Sequence, residues 1–567
     1  MTAPTPEAFS SWLITKAERA NPRTVLDDQH SGEDAWSHGN VVRPLIHGSA
    51  YFPHLLERVE ATRPGDLVLF TDWRGDGDEQ LLGTEGSDVL RVLGEADQRG
   101  VDVRGLIWRS HLDALSFSAH ENRTLGIRLQ EQGAEALLDM RVRTGGSHHQ
   151  KLVVIRYRDR PADDVAYVGG IDLSHSRRDD ARHEGDPQAQ PMAPAYGPTP
   201  AWHDVQVVIS GPAVHDVETV FRERWTDPTP LSQNPLFWLH DKLTRTDLSP
   251  DPLPEQAPPP PPVEGGTHTV QLLRTYPNLR HGRDYPFARG GERSVARGYG
   301  KAIQRARRLV SIEDQYLWSP DVARAFEESL GSSPDLRVVA VLPPVPDQAA
   351  PLSRLPQDFA RQETLDLLQR AGGDRVAFYS LENHAGRPVY VHAKVCVMDD
   401  VWATVGSDNF NRRSWTHDSE LSAVVVDLPE QHAGPLAEPG VSAYARRLRL
   451  VLAAEHLDRE VGAARFRGDT GHLLDPARPV DADDDDLLEV IADCVDPHAM
   501  FDAYAAAAAR LDAWYAGGQV GPRPAGRLRR LEPPRLGRFT RLWAKPMARL
   551  VHDPDGRPAR LRRAREF

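Results

Sequence analysis

The strongest constraint in this 567-residue sequence is that it is written twice. A proline-rich stretch near the middle, SPDPLPEQAPPPPPVEGG (249–266), suits neither a helix interior nor a sheet ladder and reads as an extended linker. Strand-like runs recur in the same order on either side of it. DLVLFTDW (66–73), DVRGLIWRS (102–110), HQKLVVI (149–155), VAYVGGIDLS (165–174) and HDVQVVISG (203–211) come first. RLVSIEDQY (308–316), DLRVVAVLP (335–343), HAKVCVMDD (392–400), WATVGSDNFN (402–411) and SELSAVVVD (419–427) come second. An amphipathic stretch precedes the first strand of each half, AYFPHLLERVEATR and VARGYGKAIQRARR. The expected fold is α/β, two similar lobes with mixed β-sheets flanked by helices. The expected boundaries are an N-terminal lobe over 1–245, the linker over 246–266, a C-terminal lobe with a helical extension over 267–515, and a basic tail over 516–567.

The duplication singles out a short polar motif at the mouth of a strand. Matching HHQKL to VHAKV puts His149 opposite His392 and Lys151 opposite Lys394, while His148 falls opposite Val391. Residues two apart on a strand share a face, so each histidine faces the same way as its lysine and His148 points away. A single His-x-Lys pair would read as surface polarity on an edge strand; two copies at matching places read as one divided site. Downstream, GGID (169–172) matches GSDN (406–409), pairing Asp172 with Asn409, and Asp204 matches Glu420 at the start of the next strand.

This pattern resembles the phospholipase D superfamily, whose signature is His-x-Lys-x4-Asp followed by a Gly-Ser/Gly-x-Asn/Asp element in each half. HAKVCVMD with GSDN fits fully, and HQKLVVIR with GGID fits except at Arg156. HHQKLVV, VGGIDL, AWHDVQVVISGPAVHDVETVFRERW and SIEDQYLWSP also resemble the phospholipase D branch, over about Pro44 to Leu450. The resemblance implies two phospholipase D-type lobes with the active site between them. It implies cleavage of a phospholipid headgroup ester through a phosphohistidine, giving phosphatidic acid with water or an exchanged lipid with an alcohol. It assigns His149 as nucleophile and His392 as acid/base, and counts Lys151, Lys394, Asp172 and Asn409 among the catalytic residues. The chemistry suits these residues. Histidine titrates near neutral pH, lysines steady developing negative charge, and a carboxylate on the far ring nitrogen sets the tautomer. By alignment within each half, Asp204 is expected to hold His149 and Glu420 to hold His392. Asp399 is the family's motif carboxylate. It stands an odd number of residues from Lys394, which favours a structural place for it, so Arg156→Asp is expected to be tolerated. Trp108, Arg109, Gln315 and Tyr316, at predicted strand ends, are candidate substrate contacts.

The scheme requires no metal or cofactor, and the sequence shows no metal-ligand cluster; the run DADDDD (481–486) reads as a solvated loop. The segment 177–200 reads equally as a lid or a surface loop. Two cysteines, Cys396 and Cys494, are too few for a disulfide framework. The net charge of −14 disfavours a nucleic-acid partner. No run suits a signal peptide, and none approaches the roughly 20 apolar residues of a membrane span, so the cytosol, with peripheral membrane contact, is the expected location. Both half-sites lie in one chain, which implies a monomer. The tail over 521–567 carries a local balance of about +10. Its arginines either lash it to the acidic body, the reading that net charge favours, or attract it to an anionic membrane. Alternatives within the fold are a cardiolipin synthase-like phosphatidyltransferase and a catalytically weak lipid-binding protein.

Overall fold

The computed structural model describes residues 10–111, 119–232, 249–279, 284–347, 350–427, 435, 436, 438, 440–459, 484–564, 566 and 567. The first half contributes β1 (Ser37–Ile46), β2 (Leu67–Asp72), β3 (Asp102–Trp108), β4 (Glu135–Asp139), β5 (Leu152–Arg156), β6 (Val165–Gly169), β7 (Ala201–His203) and β8 (Val205–Ser210). The second contributes β9 (His268–Tyr276), β10 (Glu292–Arg293), β11 (Leu309–Asp314), β12 (Arg337–Val341), β13 (Val376–Leu381), β14 (Val389–Val391), β15 (Lys394–Met398), β16 (Trp402–Gly406) and β17 (Glu420–Val426); β18 (Leu528–Arg530) comes from the tail. Six helices matter below: α1 (Gly48–Glu60), α2 (Ala213–Trp225), α3 (Ser294–Arg305), α4 (Ala443–His456), α5 (Pro497–Ala516) and α6 (Arg538–Met547).

The two lobes share one mixed sheet. Outward from the middle run β1-β8-β6-β5-β2-β3-β4 on one side and β9-β17-β16-β15-β11-β12-β13 on the other, the same order twice, with β18 added beyond β13. Strands β2, β3 and β4 are parallel, as are β11, β12 and β13; the central strands are antiparallel. The lobes join where β1 pairs antiparallel with β9, which removes two exposed edges at once. Helices cover both faces, so strands such as β5 and β15 are buried throughout and their sequences run apolar without alternation.

One face of the sheet carries a single core that crosses the lobe boundary. Val217, Val220 and Phe221 of α2 pack there with Leu448 and Leu452 of α4 and the inward valines of β8, β15 and β17. The other face has a separate core in each lobe, built on α1 in the first and on α3 in the second. Leu13, Ile14, Ala35 and Trp36 belong to the second lobe's core, although the expected boundary groups them with the first. Arg19 secures this segment through Asp27 (2.7 Å) and Glu292 (3.1 Å). The proline-rich linker forms no helix or strand. It lies along α2, where Trp225 Nε1 donates to the Asp251 carbonyl (2.8 Å) and Arg222 to the Pro254 carbonyl (2.6 Å). In the acidic run at 481–486, residues 481–483 lie outside the described residues and Asp484 opens a helix.

The two halves differ at one strand end. Asp399, just after β15, accepts the backbone N–H groups of Arg307 (2.7 Å), Arg308 (2.9 Å) and Leu309 (2.9 Å), and so fixes the entry to β11. Arg156, at the matching end of β5, is buried between Asp164 (3.0 Å) and Glu218 (3.3 Å) and donates to the Pro258 carbonyl of the linker (2.6 Å). Arginine at this place therefore ties the linker to the first lobe. The expected tolerance of Arg156→Asp is corrected, because aspartate would put three carboxylates in one buried pocket. Uncompensated buried charge costs about 3–5 kcal/mol, and denaturant unfolding of Arg156→Asp is expected to show a loss of that order.

Candidate active site

His149 and His392 stand just before β5 and β15, at the C-terminal ends of β2 and β11, where both lobes open toward each other. Two short parallel bridges hold them. Val391 pairs with His203 in the β7–β14 ladder, and His148 pairs with Ser419 in the equivalent isolated bridge. In each case the residue before a motif histidine lies beside the residue before a carboxylate of the other half. The next residues then meet: His392 Nδ1 is 2.6 Å from Asp204 Oδ2, and His149 Nδ1 is 2.8 Å from Glu420 Oε2. The expected partnership within each half is thereby corrected. Asp204 and Glu420 are structural equivalents, but each serves the histidine of the opposite lobe. His148 is fully buried on the other side, near Arg224, Asp139 and Arg141.

The glycine elements differ in a way that carries chemistry. At Gly170 an added Cβ would lie 2.1 Å from Asp204 Oδ1, so glycine is what lets that carboxylate approach. The matching residue is Ser407, whose hydroxyl donates to Glu420 Oε2 (2.6 Å). Burial and the nearby charge of Asp418 push Glu420 up to about 8. Burial works on Asp204 in the same direction, but the His392 ring and Lys394 hold it well below the usual carboxylate range. At pH 7 His392 thus faces a charged carboxylate and His149 a protonated one. Burial, Lys151 and Lys394 keep His149 well below the ordinary histidine range, so both lysines act on one ring. Burial and Lys394 bring His392 down to about 3. Burial brings Lys394 itself down to about 8.

Lys151 Nζ lies 3.4 Å from Asp172 and donates to the His149 carbonyl (3.1 Å); Lys394 donates to the His392 carbonyl and to Gln315 Oε1 (3.3 Å). Asp172 accepts from the Trp73 and Arg74 backbone N–H groups (3.1 and 3.3 Å). Asn409 is buried at the matching place, and its Oδ1 finds no partner among the described residues. Asp399 stands five residues beyond Lys394, past the other end of β15 and away from this cluster.

Of the candidate substrate contacts, Gln315 reaches the site, bridging Lys394 and the Tyr390 hydroxyl (2.7 Å). Trp108 is buried one layer back, stacked on Trp73 at 5.4 Å, and it is Trp73 that stands edge-on to His149 at 6.2 Å. Arg109 is buried beside Asp139, to whose carbonyl its N–H donates. Tyr316 stacks on Trp318 at 3.9 Å under the tail. Sequence reasoning missed Trp202, whose ring lies 4.9 Å from His392, and Arg177, whose guanidinium sits 4.0 Å over Trp202 and 3.6 Å from Asp172. Trp202 adjoins the matched strand HDVQVVISG; Arg177 opens the segment read as a lid or a surface loop, where no match to the other half singles it out. That loop (177–200) also reaches the second lobe, where the Ala193 N–H donates to the Asp347 carbonyl (2.7 Å) and the Tyr196 hydroxyl to that of Val345. Among the described residues, the groupings of histidine and carboxylate able to hold a metal ion include neither His149 nor His392.

Paired lobes and crossed histidine–carboxylate contacts thus bring two imidazoles and two lysines to one site. The family model described as Phospholipase D matches residues 117–322, and the one described as Cardiolipin synthase, PLD-like domain, matches 300–433. The chain belongs to the phospholipase D superfamily. It is 26% identical over 484 residues to phospholipase D alpha 2 of Oryza sativa subsp. japonica, covering 63% of this chain and 58% of that protein. It is 24% identical over 506 residues to phospholipase D alpha 1 of Ricinus communis, covering 67% and 61%. The chain thus spans about three fifths of the length of these curated relatives. Among solved structures, that of phosphatidylserine synthase from Haemophilus influenzae Rd KW20 superposes with a TM-score of 0.43 at 14% identity, covering 69% of this chain and 83% of that one.

The crossed pairing has a thermodynamic signature. Contacting residues show interaction energies of about 0.5–3 kcal/mol in a double-mutant cycle, whereas residues without shared partners add. Unfolding cycles on Asp204→Ala are expected to couple with His392→Ala and to be additive with His149→Ala.

Proposed function

We propose that the protein is a phosphodiesterase of the phospholipase D type, cleaving the headgroup ester of a phospholipid through a covalent phosphohistidine. The observation that supports this reading best is the crossed pair of histidine–carboxylate contacts, whose two carboxylates lie in unlike surroundings. His149, beside protonated Glu420 and two lysines, stays an uncharged nucleophile. His392, beside ionised Asp204, has a partner that steadies its imidazolium. An anionic phosphodiester in the cleft further favours that protonated form.

Both Nδ1 atoms are committed to carboxylates, which leaves Nε2 of each ring for the substrate. Nε2 of His149 attacks phosphorus as the bond to the headgroup oxygen breaks, and His392 delivers its proton to that oxygen. His392 then takes a proton from water or an alcohol, whose oxygen displaces His149 from phosphorus. Water yields phosphatidic acid; an alcohol yields a new phosphatidyl ester. Lys151, Lys394 and the Asn409 amide donate to the phosphoryl oxygens as negative charge grows there. The match of 300–433 to a cardiolipin synthase-like domain favours a second reading in which the acceptor alcohol is itself a lipid. One chain supplies both half-sites, so the enzyme acts as a monomer.

Contact with the lipid surface falls to the tail. Arg523 and Arg529 pair with Glu382, and Arg557 with Asp321, so these arginines lash it to the body. Helix α6 does otherwise. Ala544, with Ala548 just beyond it, packs on Trp318 and Phe359, next to Tyr316. Phe539 (88% exposed), Leu542 (76%) and, past the helix, Leu550 (76%) face outward. Arg538, Arg541 and Lys545 are exposed beside them and form no ion pair among the described residues. An apolar face flanked by cations suits shallow insertion into an anionic bilayer. No helix of the described residues is long and apolar enough to cross a membrane.

A panel of phospholipids, with and without a primary alcohol, is expected to yield phosphatidic acid and phosphatidyl-alcohol respectively. With a substrate carrying a good leaving group, His392→Ala is expected to accumulate a phosphatidyl adduct on the peptide containing His149. An adduct on the His392 peptide of His149→Ala in its place reverses the roles, and no adduct on either defeats the mechanism. Lys394→Ala is expected to lose about 10²–10³-fold in rate. Because Lys394 loses its proton near pH 8, kcat/KM is expected to fall as pH rises through that value, and Lys394→Arg to move the fall to higher pH. Replacing Phe539, Leu542 and Leu550 by aspartate is expected to abolish co-sedimentation with anionic vesicles at unchanged melting temperature. Unchanged sedimentation would remove the membrane role of α6.

A further inference from the structure

Behind the Asp204 segment lies a buried cluster that the mechanism does not use. His47 precedes α1, His183 stands in the loop between β6 and β7, His203 ends β7, and Glu455 lies in the last turn of α4. The three histidines are buried and Glu455 is half-buried. Their ligand atoms lie within 4.8 Å of one another. Nε2 of His47 is 2.8 Å from Glu455 Oε2, and Nε2 of His183 and Nδ1 of His203 are each 3.0 Å from Glu455 Oε1. We infer that this cluster is a binding site for one divalent transition-metal ion, zinc by its chemistry, held by His47, His183, His203 and Glu455.

Four observations carry the inference. First, the ring centres of His47, His183 and His203 are 5.0, 5.0 and 5.7 Å apart, steeply tilted to one another. Three imidazoles bound tetrahedrally to one ion at the usual Zn–N length place their ring centres about 5 Å apart. Second, Nδ1 of His203 makes no hydrogen bond in spite of its 3.0 Å approach to Glu455. The nitrogen and the oxygen are directed past each other, as ligands aimed at a common third point are. Third, the far nitrogens of His203 and His183 carry the partners that metal-bound histidines usually have, while Nδ1 of His47 meets none among the described residues. His203 Nε2 meets Glu313 (2.7 Å), which also approaches His456 (3.1 Å), and His183 Nδ1 meets the Trp202 carbonyl (3.2 Å). Fourth, His47 and His183 hold left-handed backbone, with φ of 68° and 58°. Such strain in a residue other than glycine persists where the surroundings over-determine it.

The donor set of three imidazoles and one carboxylate suits zinc and other borderline ions rather than calcium or magnesium, which take oxygen ligands. The ligands fill the four positions of a closed, structural site. Its ion would join α4 of the second lobe to three segments of the first. The site adjoins the catalytic register, since the His203 carbonyl accepts the N–H of His392 (2.8 Å) and the His47 N–H donates to the Asp204 carbonyl (2.8 Å). The sequence shows no such cluster because its members stand at 47, 183, 203 and 455.

The test is metal content and does not depend on activity. The full chain, freed of any affinity tag and purified without chelator, is incubated with Zn²⁺, desalted and analysed by plasma mass spectrometry. About one equivalent per chain is expected, with four nitrogen or oxygen neighbours at about 2.0–2.1 Å and imidazole outer-shell scattering in X-ray absorption. Chelation is expected to lower the melting temperature and Zn²⁺ to restore it, and His183→Ala and Glu455→Gln to lose the ion. Less than about a tenth of an equivalent would overturn the inference, leaving the cluster a hydrogen-bonded network. So would zinc retained by both variants. If the variants do not fold, the absorption spectrum of the unaltered chain decides, and a shell lacking imidazole overturns the site.

Discussion

The exchange of carboxylates between lobes is the contact on which the rest of this molecule depends. A histidine can attack or shuttle protons at one nitrogen only if the other is fixed. Here the fixing group always comes from across the pseudo-twofold axis, His149 leaning on Glu420 and His392 on Asp204. A hydrogen bond to a charged group such as Asp204 contributes about 1.5–3 kcal/mol and a neutral one such as that to Glu420 about 0.5–1.5 kcal/mol, so the contacts that prepare the two rings also hold the halves in register. The bridges His148–Ser419 and Val391–His203 set that register one residue away from the chemistry.

Much of this was legible in the residues. Duplication told His149 from His148, because VHAKV offers no second histidine to choose. The matched strand order appeared in the sheet twice over. Alignment failed where it was asked for partners rather than equivalents. Asp204 and Glu420 do correspond, but residues related by a twofold axis that runs between them lie on opposite sides of it. Nothing in a one-dimensional match states that an axis passes through the site. The place of Arg156 was also hidden, since it answers to Asp164, Glu218 and the Pro258 carbonyl, which no periodicity brings together. The amino-terminal segment around Leu13 and Ile14 joined the distant lobe for the same reason: burial was available there, and chain order does not report it.

The shared plan of the halves makes their differences informative. Asp204 and Glu420 stand at matching places, yet their surroundings leave one carboxylate charged and the other protonated at neutral pH. A symmetric scaffold thereby gives one histidine an uncharged partner and the other a charged one. Burial pushes both carboxylates up, Asp418 adds to it at Glu420, and the His392 ring and Lys394 reverse it at Asp204.

The continuous sheet has a consequence for how substrate is admitted. Enzymes built of two bodies commonly swing shut about a flexible strap. Here β1 and β9 are laced together, and a single apolar layer under α2 and α4 spans the seam, so bending would tear both. The aperture is accordingly of fixed width, a keyhole rather than a jaw. Under the proposed activity, selection among headgroups rests on what the walls of the site admit, with Arg177, Trp202 and Tyr390 packed together on one flank.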